Sequence, residues 1–297
     1  MILHERVLKF SCAEEQLVGI VHEPVAGINA LSIGVVIVVG GPQYRVGSHR
    51  QFILLARQLA AAGIPVLRFD YRGMGDSSGA ARDFEHIDAD IRAACDAFCA
   101  STPAVTRLVL WGLCDAASAA LFYAALDARV AGLVLLNPWL RSADVQAQTV
   151  IKHYYRQRLF SAGLWRKLWR REFDFSASLR SLLATLRQAH AGRSDRSAAA
   201  RSPKGGFASE GPASLSERMA NGWRRFNGPI LLILSGDDLV AREFEAVGAQ
   251  QPEWQGLRSE TRLTTLAMAT ANHTFARAEW RAAVAMATRD LVTRIKG

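Results

Sequence analysis

The sequence predicts a doubly wound, mostly parallel α/β sheet with a helical cap inserted before its last two strands. Three observations carry that prediction. Short apolar, β-prone runs alternate with helix-length segments along 33–137 and again along 229–295, the pattern of parallel strands joined by right-handed crossovers. The run 33–39 (IGVVIVV) is apolar throughout, as a strand covered on both faces must be. The alternation then lapses between Pro138 and Pro229, where the chain becomes helical in pattern, aromatic and basic.

Taken in order, 7–11 and 16–22 read as an antiparallel hairpin turning near Ala13-Glu14-Glu15. Strand 33–39 ends in Gly40-Gly41-Pro42-Gln43. Phe52, Leu55, Ala56 and Leu59 recur at helical spacing over 51–62, and Gly63 stops that helix. Strand 64–69 runs into the loop Asp70-Tyr71-Arg72-Gly73-Met74-Gly75-Asp76-Ser77-Ser78-Gly79, followed by a helix over 83–100. A strand at 108–111, a helix over 115–126 and a strand at 130–137 complete the first half. After the insertion come a strand at 229–234, a helix over 242–249, a strand at 261–267 and a helix over 276–295. The core is therefore expected at 1–138 and 229–297, and the cap at 139–228, its last helix over 216–226. Within the cap, 190–214 (HAGRSDRSAAARSPKGGFASEGPAS) has almost nothing apolar and reads as a mobile basic loop. An insertion at this point lies over the carboxyl ends of the strands, where open α/β sheets bind ligands.

Composition narrows the partners. Of the 297 residues, 50% are hydrophobic and 21% charged, enough for one large domain with an insertion. No apolar run approaches the ~18 residues of a membrane span. The start, MILHERVLKF, lacks a signal-peptide apolar region, and four cysteines without framework spacing suit reduced thiols, so a cytoplasmic location is expected. Cys95 and Cys99 lie four apart on a helix without a Cys/His pair at zinc spacing, so they read as packing and no metal is expected. Gly73-Met74-Gly75 lacks the third glycine of a dinucleotide fingerprint, and no organic cofactor is expected. The formal net charge is +9, yet 141–227 carries 17 Lys and Arg against 6 Asp and Glu, while the remainder has 19 against 21. Basicity confined to one segment does not indicate nucleic acid; solvated helix faces and a basic loop are the preferred explanation, with an acidic surface or an anionic substrate the alternative. Oligomeric state is left open.

The chemistry centres on 108–120 (LVLWGLCDAASAA). An apolar run, a tight Gly112-Leu113-Cys114-Asp115-Ala116 turn and a small-residue helix form the strand, turn and helix of a nucleophile elbow, with cysteine at its tip. Residues two before and two after the nucleophile must be small for strand and helix to pass closely, and Gly112 and Ala116 are. Of the seven histidines, only His273 follows the last strand, where the base belongs. Ser235-Gly236-Asp237-Asp238 closes the preceding strand and supplies the acid, Asp238 in preference to Asp237 because Leu239-Val240 follows it. The order nucleophile, acid, histidine matches that of Cys114, Asp238 and His273. An oxyanion hole would use the N–H of Asp115 and one from the loop after strand 33–39. Pro42 has no N–H, which leaves Gln43 or, second, Tyr44. Tyr44 and the cap aromatics Trp139 and Tyr154 are the candidate substrate-contacting residues. Asp70, Arg72 and Asp76 read as structural fixings of their loop.

The GG-P loop, the D-x-R-G-x-G-x-S pattern from Asp70 to Ser77, the elbow, Gly236-Asp237-Asp238 and Asn272-His273 together resemble an α/β-hydrolase over most of the chain. More closely, GGPQYRVGSHRQF, FDYRGMGDSSG, WGLCDAAS and NHTF resemble the exosortase A system-associated hydrolases of Gram-negative bacteria. That resemblance implies a context of exopolysaccharide production and sorting of proteins with PEP-CTERM tails. The residues themselves imply a thioester acyl-enzyme on Cys114, hence hydrolysis of an ester, thioester or lactone. With the context that the resemblance implies, the expected substrate is a small-molecule, lipid or saccharide acyl compound. Two other expectations differ in class: acyl transfer to a sugar or amine, and a non-catalytic hydrolase relative that binds a partner through its basic cap.

Overall fold

The computed structural model describes residues 4–25, 27–41, 43–140 and 213–296. Its strands are β1 (His4–Cys12), β2 (Glu15–Glu23), β3 (Ile33–Val38), β4 (Val66–Asp70), β5 (Arg107–Leu113), β6 (Val130–Leu136), β7 (Ile230–Asp237) and β8 (Leu263–Asn272). The α-helices are α1 (Gln51–Ala61), α2 (Asp88–Ser101), α3 (Asp115–Ala124), α4 (Leu215–Arg225), α5 (Leu239–Gln250) and α6 (Ala278–Lys296). All eight strands join one sheet in the order β1-β2-β4-β3-β5-β6-β7-β8. The hairpin β1–β2 is antiparallel, β2 pairs antiparallel with β4, and every later pairing is parallel.

The centre of the sheet is dry for the reason the sequence announces. Every residue of β3 is buried, as are all of β5 after Arg107. Phe52 of α1 meets Trp111 of β5 edge-on at 5.6 Å between ring centroids. Burial of such side chains stabilises by about 1.5–3 kcal/mol each, and this anchors the carboxyl ends where the polar residues gather.

Two elements depart from expectation. The helix expected over 83–100 is divided into a 3-10 turn, Phe84–His86, and α2. Asp83 caps that turn by accepting the Glu85 N–H at 3.0 Å, and Ile87 leaves the helical region with φ −110° and ψ 13°. The second departure is α4, which the sequence reading assigned to the cap. Residues 1–141 and 214–297 form one compact unit that includes this helix. Its buried Met219, Ala220 and Trp223 lie on an amphipathic face, and Gly222 lets it approach α3 so closely that a Cβ would come 2.8 Å from the Leu121 carbonyl. Trp223 also packs edge-on against Trp254 at 5.8 Å. The expected mobile loop and most of the cap, 141–212, lie outside the described residues.

Candidate active site

The elbow is built as the small residues require. Cys114 follows β5 directly, with φ 63° and ψ −126°, a left-handed backbone that costs an L-residue of order 1–3 kcal/mol. Neighbouring strands hold it there. The Cys114 N–H donates to the Leu136 carbonyl at 2.8 Å, and its carbonyl accepts the Ala117 and Trp139 N–H groups at 3.0 and 3.1 Å. Gly112 is compulsory, since a Cβ there would lie 2.5 Å from the Ala116 carbonyl.

His273 stands one residue beyond β8. Its Nδ1 lies 2.7 Å from Asp238 Oδ2, and the Cys114 thiol is within hydrogen-bonding reach of the same ring. Asp238 uses its other oxygen to accept the Val240 N–H at 3.1 Å as N-cap of α5, which fixes its orientation. Asp237, by contrast, ends β7 with an exposed side chain. The hydrogen bond to Asp238, and then that to Cys114, hold His273 protonated up to about 10, against the burial that would lower it.

A buried neutral brace positions this histidine, and the sequence reading missed it. Asn137, directly after β6, is fully buried with a left-handed φ of 43°. Its Nδ2 donates to Ser235 Oγ at 2.9 Å and to the His273 carbonyl at 3.3 Å, while its Oδ1 accepts the Ser235 N–H at 2.8 Å. Ser235 Oγ in turn donates to the Asn272 carbonyl at 3.0 Å. One amide thus ties the ends of β6, β7 and β8 together. A tight turn completes the loop: Phe275, with φ 50°, donates its N–H to the Asn272 carbonyl at 3.1 Å. The only sequence signal was an Asn in an otherwise apolar strand end.

The loop after β3 meets the elbow through its second glycine. The N–H that it brings to the elbow is that of Gly41, which donates to Asp115 Oδ2 at 2.8 Å. Gly41 has φ 59°, and that left-handed turn aims its N–H at the elbow. Gln43 is half-buried, its Oε1 accepting the Ser48 N–H at 3.2 Å. Asp115 Oδ1 also accepts the Ala116 N–H at 3.0 Å, and burial pushes the Asp115 carboxyl above the usual range.

The remaining candidates separate. Tyr44 is exposed on the loop after β3. Trp139 lies beside the elbow, its N–H on the Cys114 carbonyl and its carbonyl accepting the Ser118 hydroxyl at 2.7 Å. Tyr154 lies outside the described residues. The Asp70 loop is a structural knot: Asp70 accepts the Arg45 and Asp76 N–H groups at 2.6 and 3.2 Å and pairs with the Arg45 guanidinium. Arg72 forks onto buried Asp90 with both bonds at 2.8 Å. Among the described residues no three His, Cys, Asp or Glu side chains group to hold a metal ion, and no helix is long and apolar enough to cross a membrane.

Among curated protein sequences, none matches the chain. Solved structures match its fold along nearly its whole length. The esterase Pf2001 of Pyrococcus furiosus is 14% identical with a TM-score of 0.64, over 99% of this chain and 92% of that one. Est1E of Butyrivibrio proteoclasticus, solved with ferulic acid, is 14% identical at 0.59, over 97% and 98%. XC6422 of Xanthomonas campestris, described as a serine hydrolase without lid, is 16% identical at 0.55, over 98% and 96%. The model of the alpha/beta hydrolase family matches residues 35–287, and with the sheet order and elbow above this chain belongs to that family.

Proposed function

We propose that this protein hydrolyses an ester-type acyl bond (ester, thioester or lactone) through a thioester on Cys114. The observation that carries the reading is His273, bonded to Asp238 at 2.7 Å with the Cys114 thiol on the same ring. Cys114 Sγ attacks the acyl carbonyl, and its proton passes to His273, which Asp238 keeps oriented. His273 then returns that proton to the departing alcohol or thiol. Water, deprotonated by the same ring, releases the acid. Because the ring is held protonated up to about 10, it is set to keep the proton that the thiol gives up. The N–H groups of Asp115 and Gly41 supply the oxyanion donors in this reading, with Gln43 the alternative on the loop after β3. Cysteine at the tip in place of serine favours activated acyl groups, since a thioester is itself reactive. The esterases among the structural relatives support an ester-type bond. The resemblance to exosortase A system-associated hydrolases supports acyl groups of an exopolysaccharide or protein-sorting context.

The test is direct. Wild-type protein should take up one iodoacetamide at Cys114 and turn over p-nitrophenyl acetate, and Cys114→Ala should lose both. Turnover that survives in Cys114→Ala would overturn the assignment. Adding sugar or amine acceptors and analysing products distinguishes transfer from hydrolysis.

A further inference from the structure

We propose that the side chain of Asp115 is a displaceable plug in the oxyanion hole: the free protein holds its own carboxylate where a tetrahedral intermediate would place its oxyanion. The proposal rests on the thiol-acylation reading above and adds a specificity-determining residue to it.

The donors of such a hole are the N–H of the residue after the nucleophile and an N–H of the loop between the third strand and the helix after it, here the loop after β3. Asp115, whose N–H is the first of these donors, turns its carboxylate onto the second. Gly41 donates to Asp115 Oδ2 at 2.8 Å. Ala116 adds a second N–H, 3.0 Å from Oδ1. Gly40 closes the other side, where a Cβ would come 2.1 Å from Oδ1. Helix capping explains the Ala116 bond, since a carboxylate in the first turn is favoured by the N–H groups and dipole of α3. It does not explain Gly41, which lies 74 residues away in sequence and belongs to no helix. The arrangement is an anion nest already filled by an anion.

An acyl carbonyl reaches these donors only after Asp115 has swung aside. A small acyl group with few contacts meets a blocked hole. A larger one gains contacts that drive the side chain out, so the plug discriminates by acyl size.

Aldehydes test this, because they add to Cys114 without turnover: the Sγ–C bond forms, the C=O π bond opens, and the new oxygen takes the proton that the thiol gives up. Acetaldehyde inhibition would be measured for wild type, Asp115→Ala and Asp115→Asn, with folding checked by circular dichroism. Asn is the isosteric variant for the case in which Ala does not fold; it keeps one acceptor and loses the charge. Iodoacetamide labelling, which uses no oxyanion donor, would be followed in parallel. The expected result is acetaldehyde binding tightened about tenfold in Asp115→Ala and less in Asp115→Asn, with labelling rates within about twofold of wild type. Replacing acetaldehyde by hexanal should narrow the gain. Weaker aldehyde binding in both variants, with labelling intact, overturns the plug and makes Asp115 a clasp for the loop. Absence of labelling in wild type removes the thiol reading and the proposal with it.

Discussion

Two polar clusters stand at the carboxyl ends of the strands, and they are built in opposite ways. The cluster after β4 is rich in charge: Arg45 bridges Asp70 and Asp76, Arg72 forks onto Asp90, and so both guanidinium groups end on carboxylates. The cluster after β6, β7 and β8 is mostly neutral, an amide, a hydroxyl and main-chain carbonyls, with one carboxylate reaching one ring. The charged knot holds a loop. The neutral brace holds the loop that carries His273, and its groups fix that ring without competing for its proton. In the proposed function the chemistry therefore lies not where ionisable residues are densest but at the ring that faces Asp238.

That contrast can be broken by substitution. The largest expected effect is on the brace side: Asp238→Asn should lower p-nitrophenyl acetate turnover by about 10³–10⁴-fold. Asn caps α5 as well as Asp does, so the melting temperature should fall only by the small contribution of the ion pair to partly exposed His273. Turnover preserved in this variant would erase the distinction between the clusters. On the knot side, Asp90→Ala leaves Arg72 buried and unpaired, and urea unfolding should show a loss of about 3–5 kcal/mol. Activity per folded molecule should stay within a few-fold.

Asn137→Ala tests the brace in stability and in activity together. Its missing bonds should cost about 1–3 kcal/mol in urea unfolding. In addition kcat should fall while KM holds, because the loop carrying His273 is loosened. A stability loss with kcat unchanged would make the brace merely structural. The smallest effect is in pH. Folding raises His273 from about 6.5 to about 10, so its ion pair contributes fully below pH ~6.5 and is lost as pH rises toward 10. Wild type should therefore lose more melting temperature between those values than Asp238→Asn. The difference should be small, since the His273 side chain is 33% exposed.

Much of this was legible in the sequence. The order of strands and helices followed from periodicity, and that Cys114, Asp238 and His273 stand at strand ends could be read there too, while their roles are the proposal made above. Of the two neighbouring acids it is Asp238 that meets the ring, because the helix-starting position leaves its carboxylate free to turn there. What was not legible depends on residues distant in the chain meeting in space. The antiparallel attachment of β2 to β4, the bond from Gly41 to Asp115 and the three-strand reach of Asn137 have no local pattern. The left-handed turn at Gly41, whose N–H bonds to Asp115, is likewise a tertiary fact.

The left-handed residues at the strand exits carry a consequence for how this scaffold can diversify. Cys114 follows β5 at once, Asn137 follows β6 at once, and Phe275 closes the turn after His273. Exits this tight leave no slack for added or deleted residues, because a one-residue change would misdirect the thiol, the brace or the ring. Variation in length must therefore enter elsewhere, in stretches such as the loop after β3. At the exits themselves only side chains can be exchanged, as at Asp115 beside the thiol, and not the number of residues.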